Sequence, residues 1–578
     1  MGYRYIALVG GSACIDGALT RDAIRSAGLE ARVTSGRFEL FAGPDTPTIQ
    51  LSNGAILIGH VFGRDGTPAS EDLQKRAFPD DAQLRAHLVD NYWGDYLLIQ
   101  TGIREASKLT IMRDPSGGVP CIYSLEGSAG FFTSDIGLAA GYRLYRKQID
   151  WDYIATCLRY PHMKAERTAL TGVRELLPGT TLTASGTGHS TELNWRPWDF
   201  VERRHRYASR RDAEAGVRHA VLSAVRAWAQ LDRSVLLEMS GGLDSSIIAT
   251  CLHQAGARVV CYTLVTPVPG ADERQYAWLV SNAIGFGLHT EVLEFDDARF
   301  NFNLPSATVS PRIGSLQYAI DSVMGAAGAR HDVTSFFTGA GGDTVFSYLT
   351  NATPAADAFR AQGPSAGWAA IRDLCTLHQC TVWTAGWLTL KKLMQAPRPP
   401  RSPRGAFINP AGQQAVQDSH PWFTPPGDML PGDLERVFGL AGTQAYRDMA
   451  PRGSDRWIRM PLLSQPVMEA CLRAPSWMWI NGGRNRAIAR AAFADMLPAE
   501  ILTRRSKGNF VSYLGGFYRR NRNDIRHFIL GGQLRRRGLL DDAALDRFLR
   551  QDGLPTRDRL FLEVLDLCMI ENWVRQQD

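Results

Sequence analysis

The sequence predicts an α/β protein made of two unlike parts. Two observations carry this reading. Residues up to about 200 hold short β-like runs separated by turn residues, and from about 210 helical periodicity alternates with short apolar strands. The first pattern gives a β-rich layered domain and the second a doubly wound parallel sheet. The expected division is 1–205 and 206–578, with a proline-dense insertion at 396–433. That insertion reads as a surface excursion or as a flap over a large substrate.

In order, "RYIALVG", "AILIGHVFG", "GDYLLIQ", "LTIMRD", "CIYS" and "GFFTSD" are the strands of the front part. "DAEAGVRHAVLSAVRAWAQL" has helical spacing, "SVLLEM" is a short buried strand, and "SSIIATCLHQAG" is a helix ended by Gly256. "RVVCYTLV" and "TEVLEF" are further strands, with the helix "ADERQYAWLVSNAIGFG" between them. After about 355 the chain reads as mainly helical.

The 578 residues are 44% hydrophobic and 21% charged, with a net charge of +6. This is ordinary globular composition and gives no sign of a nucleic-acid partner. Nine scattered cysteines, Cys14 among them, form no C-x-x-C pair, which argues against zinc and against a disulfide framework. The N-terminus has no signal-peptide pattern and no apolar run is long enough to span a membrane, so a cytoplasmic protein with buried thiols is expected.

The chemistry lies in "MSGGLDSS", residues 239–246. A strand, a glycine turn and a helix start present free N–H groups to an anion. Gly241 and Gly242 allow close approach, while Ser240, Ser245 and Ser246 add hydroxyl donors. Asp244 would repel a phosphate unless a cation intervenes, which points to Mg²⁺. No Walker-type lysine follows.

The whole stretch Ser240 to Ser246, Leu243 included, resembles the pyrophosphate loop of the N-type ATP-pyrophosphatases. That family cleaves ATP between the α and β phosphates to make an adenylate. "GADERQYAWLV", "FFTGAGGDTVFSYL", "RMPLLSQPVMEACLRAP" and "LPAEILTRRSKGNF" follow in the order of the asparagine synthetase domain. "NYWGDYLLIQ", "LTIMRDPSGGVPCIYS", "GFFTSDIGLAA" and "TGVRELLPGTTLT" resemble its glutamine-amidotransferase domain. The resemblance implies an Ntn-hydrolase-like αββα front domain, an ATP-pyrophosphatase domain with a helical extension, and ATP and Mg²⁺ as cofactors.

Two departures narrow the reading. A glutaminase of this type uses a cysteine as its first residue after Met removal, but position 2 is Gly and Cys14 lies inside the chain. Glutaminase activity is therefore not expected. Ala340, in "TGAGGD", replaces the tyrosine of β-lactam synthetases and the acid of asparagine synthetases. "GAGGDTVF" resembles the lasso peptide cyclases, which adenylate an Asp or Glu of a precursor peptide and let its N-terminal amine close a macrolactam. The alternatives are a β-lactam synthetase-like or other small-molecule amide synthetase, and an inactive scaffold in a peptide-maturation complex. The cyclase reading implies a precursor peptide as substrate, with a leader-peptide-binding protein and a cysteine protease as pathway partners.

The resemblance also implies site roles. Asp343 completes a magnesium site with Asp244. Thr338 and Gly339 lie near the adenosine, Met239 and Leu264 offer backbone groups to adenine, and Lys507 contacts the α-phosphate and the transition state. Arg504 and Arg505 are candidates for pyrophosphate, and Asp272 and Glu273 match an acidic pair near the site. His162, His289 and His378 show no metal spacing, the run "SWMWING" reads as packing, and the tail arginines Arg519, Arg520, Arg522 and Arg535 to Arg537 read as a solvated face.

Overall fold

The computed structural model describes every residue except 1, 11–16, 36–37, 102–107, 128, 162, 186–187, 269–271, 349, 396–404, 410–419, 506, 552–558 and 578. The expectations for Cys14, His162 and most of 396–419 therefore fall outside the described residues.

The front part contains, in chain order, β1 (Tyr5–Val9), β2 (Glu30–Ser35), β3 (Phe38–Ala42), β4 (Thr48–Gln50), β5 (Ile56–Gly63), β6 (Tyr92–Thr101), β7 (Leu109–Arg113), β8 (Ile122–Glu126), β9 (Ala129–Thr133), β10 (Arg174–Glu175), β11 (Thr180–Ser185) and β12 (Gly188–Leu193). They form two antiparallel sheets, ordered β10-β8-β9-β1-β3-β2 and β12-β11-β7-β6-β5-β4. Alternation along each strand sends side chains to two different cores. Tyr5 and Ala7 of β1 meet Leu97 and Ile99 of β6 between the sheets, while Ile6 points to the opposite face. This explains why β6 reads as nearly continuous apolar sequence: Tyr96 and Leu98 are buried on its far side. The result is the layered αββα arrangement expected.

Both outer faces are covered by the second half of the chain. Phe62 and Trp93 pack against Trp228 of the helix Arg210–Leu231. On the other sheet, Ile6, Phe41 and Phe131 share a core with Phe517, Ile570 and Trp573 from the helices Val511–Leu530 and Leu560–Arg575.

The second half is built on β13 (Val235–Glu238), β14 (Val259–Val265), β15 (Leu288–Val292), β16 (Ser335–Phe337) and β17 (Trp457–Arg459). Their order is β15-β14-β13-β16-β17 and every pairing is parallel. From β13 the chain winds first toward β15 and then crosses to β16, so β13 and β16 flank the switch point, where open α/β sheets bind ligands.

Of the proline-dense stretch only 405–409 and 420–433 are described, and they mix packed residues with exposed ones such as 426–428. Phe407 is buried and Asn409 N donates to Leu539 O at 3.0 Å. Trp422 is buried against Trp195, and Pro431 opens the helix Pro431–Thr443. Proline at a first helical turn costs no intrahelical hydrogen bond, which suits Pro431. The eight described cysteines are free thiols and six are buried. Some of the tail arginines are not simply solvated: Arg535 pairs with Asp542 at 2.8 Å, and Arg537 lies over Trp151. No helix among the described residues is long and apolar enough to cross a membrane.

One buried acid gives this packing a pH dependence. Asp357, on the helix Thr353–Gln362, accepts from Gly432 N at 3.0 Å and Ser476 Oγ at 2.5 Å. Burial, then the neighbouring Asp433, pushes its carboxyl up to about 7. A folded-state pKa above the unfolded value means the native state holds more protons, so stability falls as pH rises from about 4 through about 7. Asp357→Asn is expected to flatten Tm between pH 4 and pH 8 relative to the parent. An unchanged slope in thermal melts would contradict this.

Candidate functional site

The site forms where two glycine loops interlock at the ends of β13 and β16. Gly241 has φ +65°, and a Cβ there would sit 2.5 Å from Ala277 N, so the turn admits no side chain. The following helix, Leu243–Gln254, is almost wholly buried and its first turn faces a cavity. From β16 the loop 338–342 runs against it. A Cβ on Gly342 would lie 2.4 Å from Asp244 Cγ, and one on Gly339 would lie 2.9 Å from Ser245 N. This glycine spacing lets Asp244 and Asp343 share one partner: Arg486 Nη1 lies 3.2 Å from both oxygens of Asp244 and 3.2 Å from Asp343 Oδ1. Lys507 Nζ contacts the other oxygen of Asp343.

A cavity of about 320 Å³ opens beside this pair, lined by Met239, Ser240, Asp244, Ser245, Leu264, Thr338, Gly339, Asp343 and Lys507. Nine of the residues singled out from sequence thus meet at one place. A smaller hollow of about 60 Å³ adjoins it, walled by Gly242, Leu243, Arg486, Arg490, Arg504 and Arg505. The serines divide their work. Ser240 Oγ lies 3.1 Å from Ser245 Oγ, and both hydroxyls border the cavity. Ser246, expected as a third hydroxyl donor, is instead fully buried and donates to Gly242 O at 2.7 Å, closing the helix's first turn. Met239 N donates to Tyr262 O, holding the ends of β13 and β14 together.

Of the expected acidic pair only Glu273 turns inward. It contacts Arg504 and accepts from Gly508 N at 2.9 Å, so it fixes the loop that carries Lys507. Asp272 pairs with exposed Arg274. The "SWMWING" run is packing, with Trp479 buried, and His289 stacks on Tyr262.

Arg486 was not singled out from sequence. Its backbone sits at φ +52°, unusual for a side chain of this size, and its guanidinium lies 5.1 Å from the Tyr348 ring. The signal available was "GGRNRAIAR": two glycines releasing a basic residue before a helix. Arg490 was missed as well. It donates to Ile501 O, Leu502 O and Arg504 O, tying the arginine-bearing segments together.

Burial pushes the Asp244 carboxyl up to about 6, with Asp343 adding to the rise and Arg486 opposing it. A desolvated carboxylate beside a second one suits a divalent cation. Among the described residues no cluster of three or more His, Cys, Asp or Glu forms, so the protein offers two carboxylates. This fits Mg²⁺, which takes one or two carboxylates together with phosphate oxygens and water. The cradle has no room to spare: Gly342→Ala is expected to displace Asp244 and reduce ATP–pyrophosphate exchange by about a hundredfold or more, for a misplacement of about 1 Å. Circular dichroism should stay unchanged; parent-level exchange would refute the geometry.

Comparison with known proteins gives one family match. The sequence model described as asparagine synthase matches residues 216–406 and 451–575, more than half of the chain. No curated protein sequence matches. Two solved structures align weakly. One, titled as the allosteric regulatory enzyme of purine biosynthesis, shows 12% identity over 50% of this chain and 75% of its own, with a TM-score of 0.19. The other, glutamine phosphoribosylpyrophosphate amidotransferase from B. subtilis with ADP and GMP, shows 11% identity over the same shares, with a TM-score of 0.18. At such scores neither bears on fold or chemistry. The chain belongs to the asparagine synthase family, whose chemistry is ATP- and Mg²⁺-dependent amide formation.

Proposed function

We propose that this chain closes a macrolactam in a precursor peptide. It adenylates an Asp or Glu side chain, and the peptide's own N-terminal amine captures the activated carboxyl. The observation that carries the reading is Ala340, which borders the synthetase cavity between Gly339 and Gly341. Its methyl group supplies neither acid nor phenol, so the site lacks the side chain that serves the other two ring- or amide-forming chemistries at that position.

The front half supports the same reading. A cavity of about 600 Å³ lies between the sandwich and the second half, and Gly2, Tyr3, Asp95 and Arg113 are among its walls. No cysteine is among its described lining residues. Cys121, next to the lining residue Pro120, has its thiol pushed up to about 12 by burial, far from a usable thiolate. On this reading the amine comes with the substrate and not as ammonia from glutamine.

In the proposed sequence the substrate carboxylate attacks the α-phosphate of ATP and pyrophosphate departs. The amine then attacks the acyl carbon, AMP leaves, and one proton is released. Asp244 and Asp343 would hold Mg²⁺, which neutralises phosphate charge. Met239 and Leu264 offer backbone groups to adenine, with Thr338 and Gly339 beside the adenosine. Ser240, Ser245 and the N–H groups of Gly241, Gly242 and Leu243 receive pyrophosphate with Arg486, Arg504 and Arg505. Lys507 places a fixed ammonium beside the oxygen that gains charge, an effect worth several kcal/mol. Having amine and carboxyl on one molecule supplies proximity. The pathway partners are a leader-peptide-binding protein and a cysteine protease, acting in the cytoplasm.

The test is ATP turnover with a candidate peptide, read by AMP formation and by loss of one water in mass spectrometry. Asp244→Ala and Lys507→Ala are each expected to lower AMP formation by about a hundredfold or more. Glutamine should yield no ammonia. Turnover of a small amino acid without peptide would favour the β-lactam-type reading, and no AMP with any acid would favour a scaffold. ADP as product would sink all adenylating versions.

A further inference from the structure

We infer that Glu238 receives the attacking amine in the ring-closing step, orienting it by hydrogen bonds and taking up the proton it gives away. The inference rests on the ring-closing reading above and adds the group that deprotonates the nucleophile. Glu238 ends β13, the central strand of the parallel sheet, after three fully buried residues, Val235, Leu236 and Leu237. A carboxylate is costly at such a place unless it is paired and hydrogen-bonded. Here it is both. Arg452, from the turn Pro451–Ser454, contacts Oε1, which is buried. Thr338 Oγ1 donates to Oε2 at 3.4 Å. Arg452 is itself divided, because its backbone N and its Nη1 both donate to Asp321, Nη1 at 3.0 Å. One guanidinium thus serves two carboxylates. The Glu238 side chain keeps 24% of its surface open and lines the synthetase cavity. With a single long hydrogen bond, Oε2 retains acceptor capacity for a further donor.

Its place suits the amine better than the nucleotide. β14 and β16 lie on opposite sides of β13. Thr338, after β16, and Arg452, just ahead of β17, hold Glu238 on the β16 side. Leu264, beside adenine in the proposed sequence, belongs to β14. Glu238 is not among the described residues that line the arginine-walled hollow, so its charge does not oppose pyrophosphate there. It does adjoin the loop of Ala340: Thr338 Oγ1 accepts from Ala340 N at 3.3 Å and gives its own hydrogen to Glu238. The loop that carries no acid at position 340 thus has one at hand on the neighbouring strand. In the step, the neutral amine forms a C–N bond to the acyl carbon. The C–O bond to AMP breaks, and its electron pair stays with the departing phosphate. The proton on nitrogen passes to the Glu238 carboxylate and from there to water.

The experiment follows a linear peptide with a free N-terminus and one Asp or Glu that supports AMP formation by the parent chain. Glu238→Gln is expected to slow ring closure by about a hundredfold, the size of a general base's contribution. ATP–pyrophosphate exchange with the same peptide, and its KM for ATP, should stay at the parent level. Added hydroxylamine carries a free lone pair at neutral pH and needs no base. It should therefore capture the adenylate as a hydroxamate equally fast in variant and parent. A purely structural Glu238 would lower exchange and ring closure together, and a carboxylate that binds adenine would raise the KM for ATP. Either result overturns the proposal, as does ring closure by Glu238→Gln at the parent rate. Should circular dichroism show that variant unfolded, Glu238→Asp carries the same test, since it keeps the charge but withdraws it by one methylene. Closure should then fall by about tenfold or more while exchange holds; a fall in both, or in neither, overturns the proposal. A parent chain that exchanges pyrophosphate with no peptide sinks the ring-closing reading and this one with it. A parent that closes the ring no faster than its Glu238 variants sinks only the role of Glu238.

Discussion

The close approach of Asp244 and Asp343 is the constraint on which the site depends. Two carboxylates near each other repel, and burial worsens the repulsion. The chain meets this with one guanidinium between them, that of Arg486, and with the ammonium of Lys507 on the outer oxygen. The glycines are consequences of that arrangement. Gly339 and Gly342 have no side chain because the opposing loop already fills the space. Glu273 and Arg490 then act at one remove, holding the segments that deliver the cations.

The fold places this contact at a topological switch. β13 and β16 are neighbours in the sheet but far apart in sequence, so the loops after them meet only once the parallel sheet has formed. The basic segments come from later still, between residues 486 and 507, and close over the loops from outside. Three separate stretches therefore converge: the first brings hydroxyls, amides and Asp244, the second brings Asp343, and the third brings the cations.

Much of this was legible in the sequence. The S-G-G-L-D-S-S run carried its strand-turn-helix context with it, and β13 to β15 were visible as short apolar runs between helices. What escaped was what only tertiary contact defines. β17 is three residues long and pairs with β16 from more than a hundred residues away. Arg486 reads as one basic residue among many, because its role comes from a left-handed backbone that aims it inward. Ser246 looks like its neighbours in sequence, yet helix geometry rotates it away from the cavity. Proline density gave no sign that Trp422 and Pro431 lie in a packed region, because proline occurs in loops and at helix starts alike.

The two-sheet sandwich has both outer faces built into the cores of the second half, through Trp228 on one side and Trp573 on the other. Such a module is tied to its host by buried apolar surface as well as by ion pairs such as Arg64–Glu469 and Lys164–Asp448. Whatever chemistry it performs or has given up, excising it would strand two broad greasy surfaces in water, so selection for a folded synthetase also preserves the sandwich. Decay of an active centre and decay of its scaffold are thereby uncoupled.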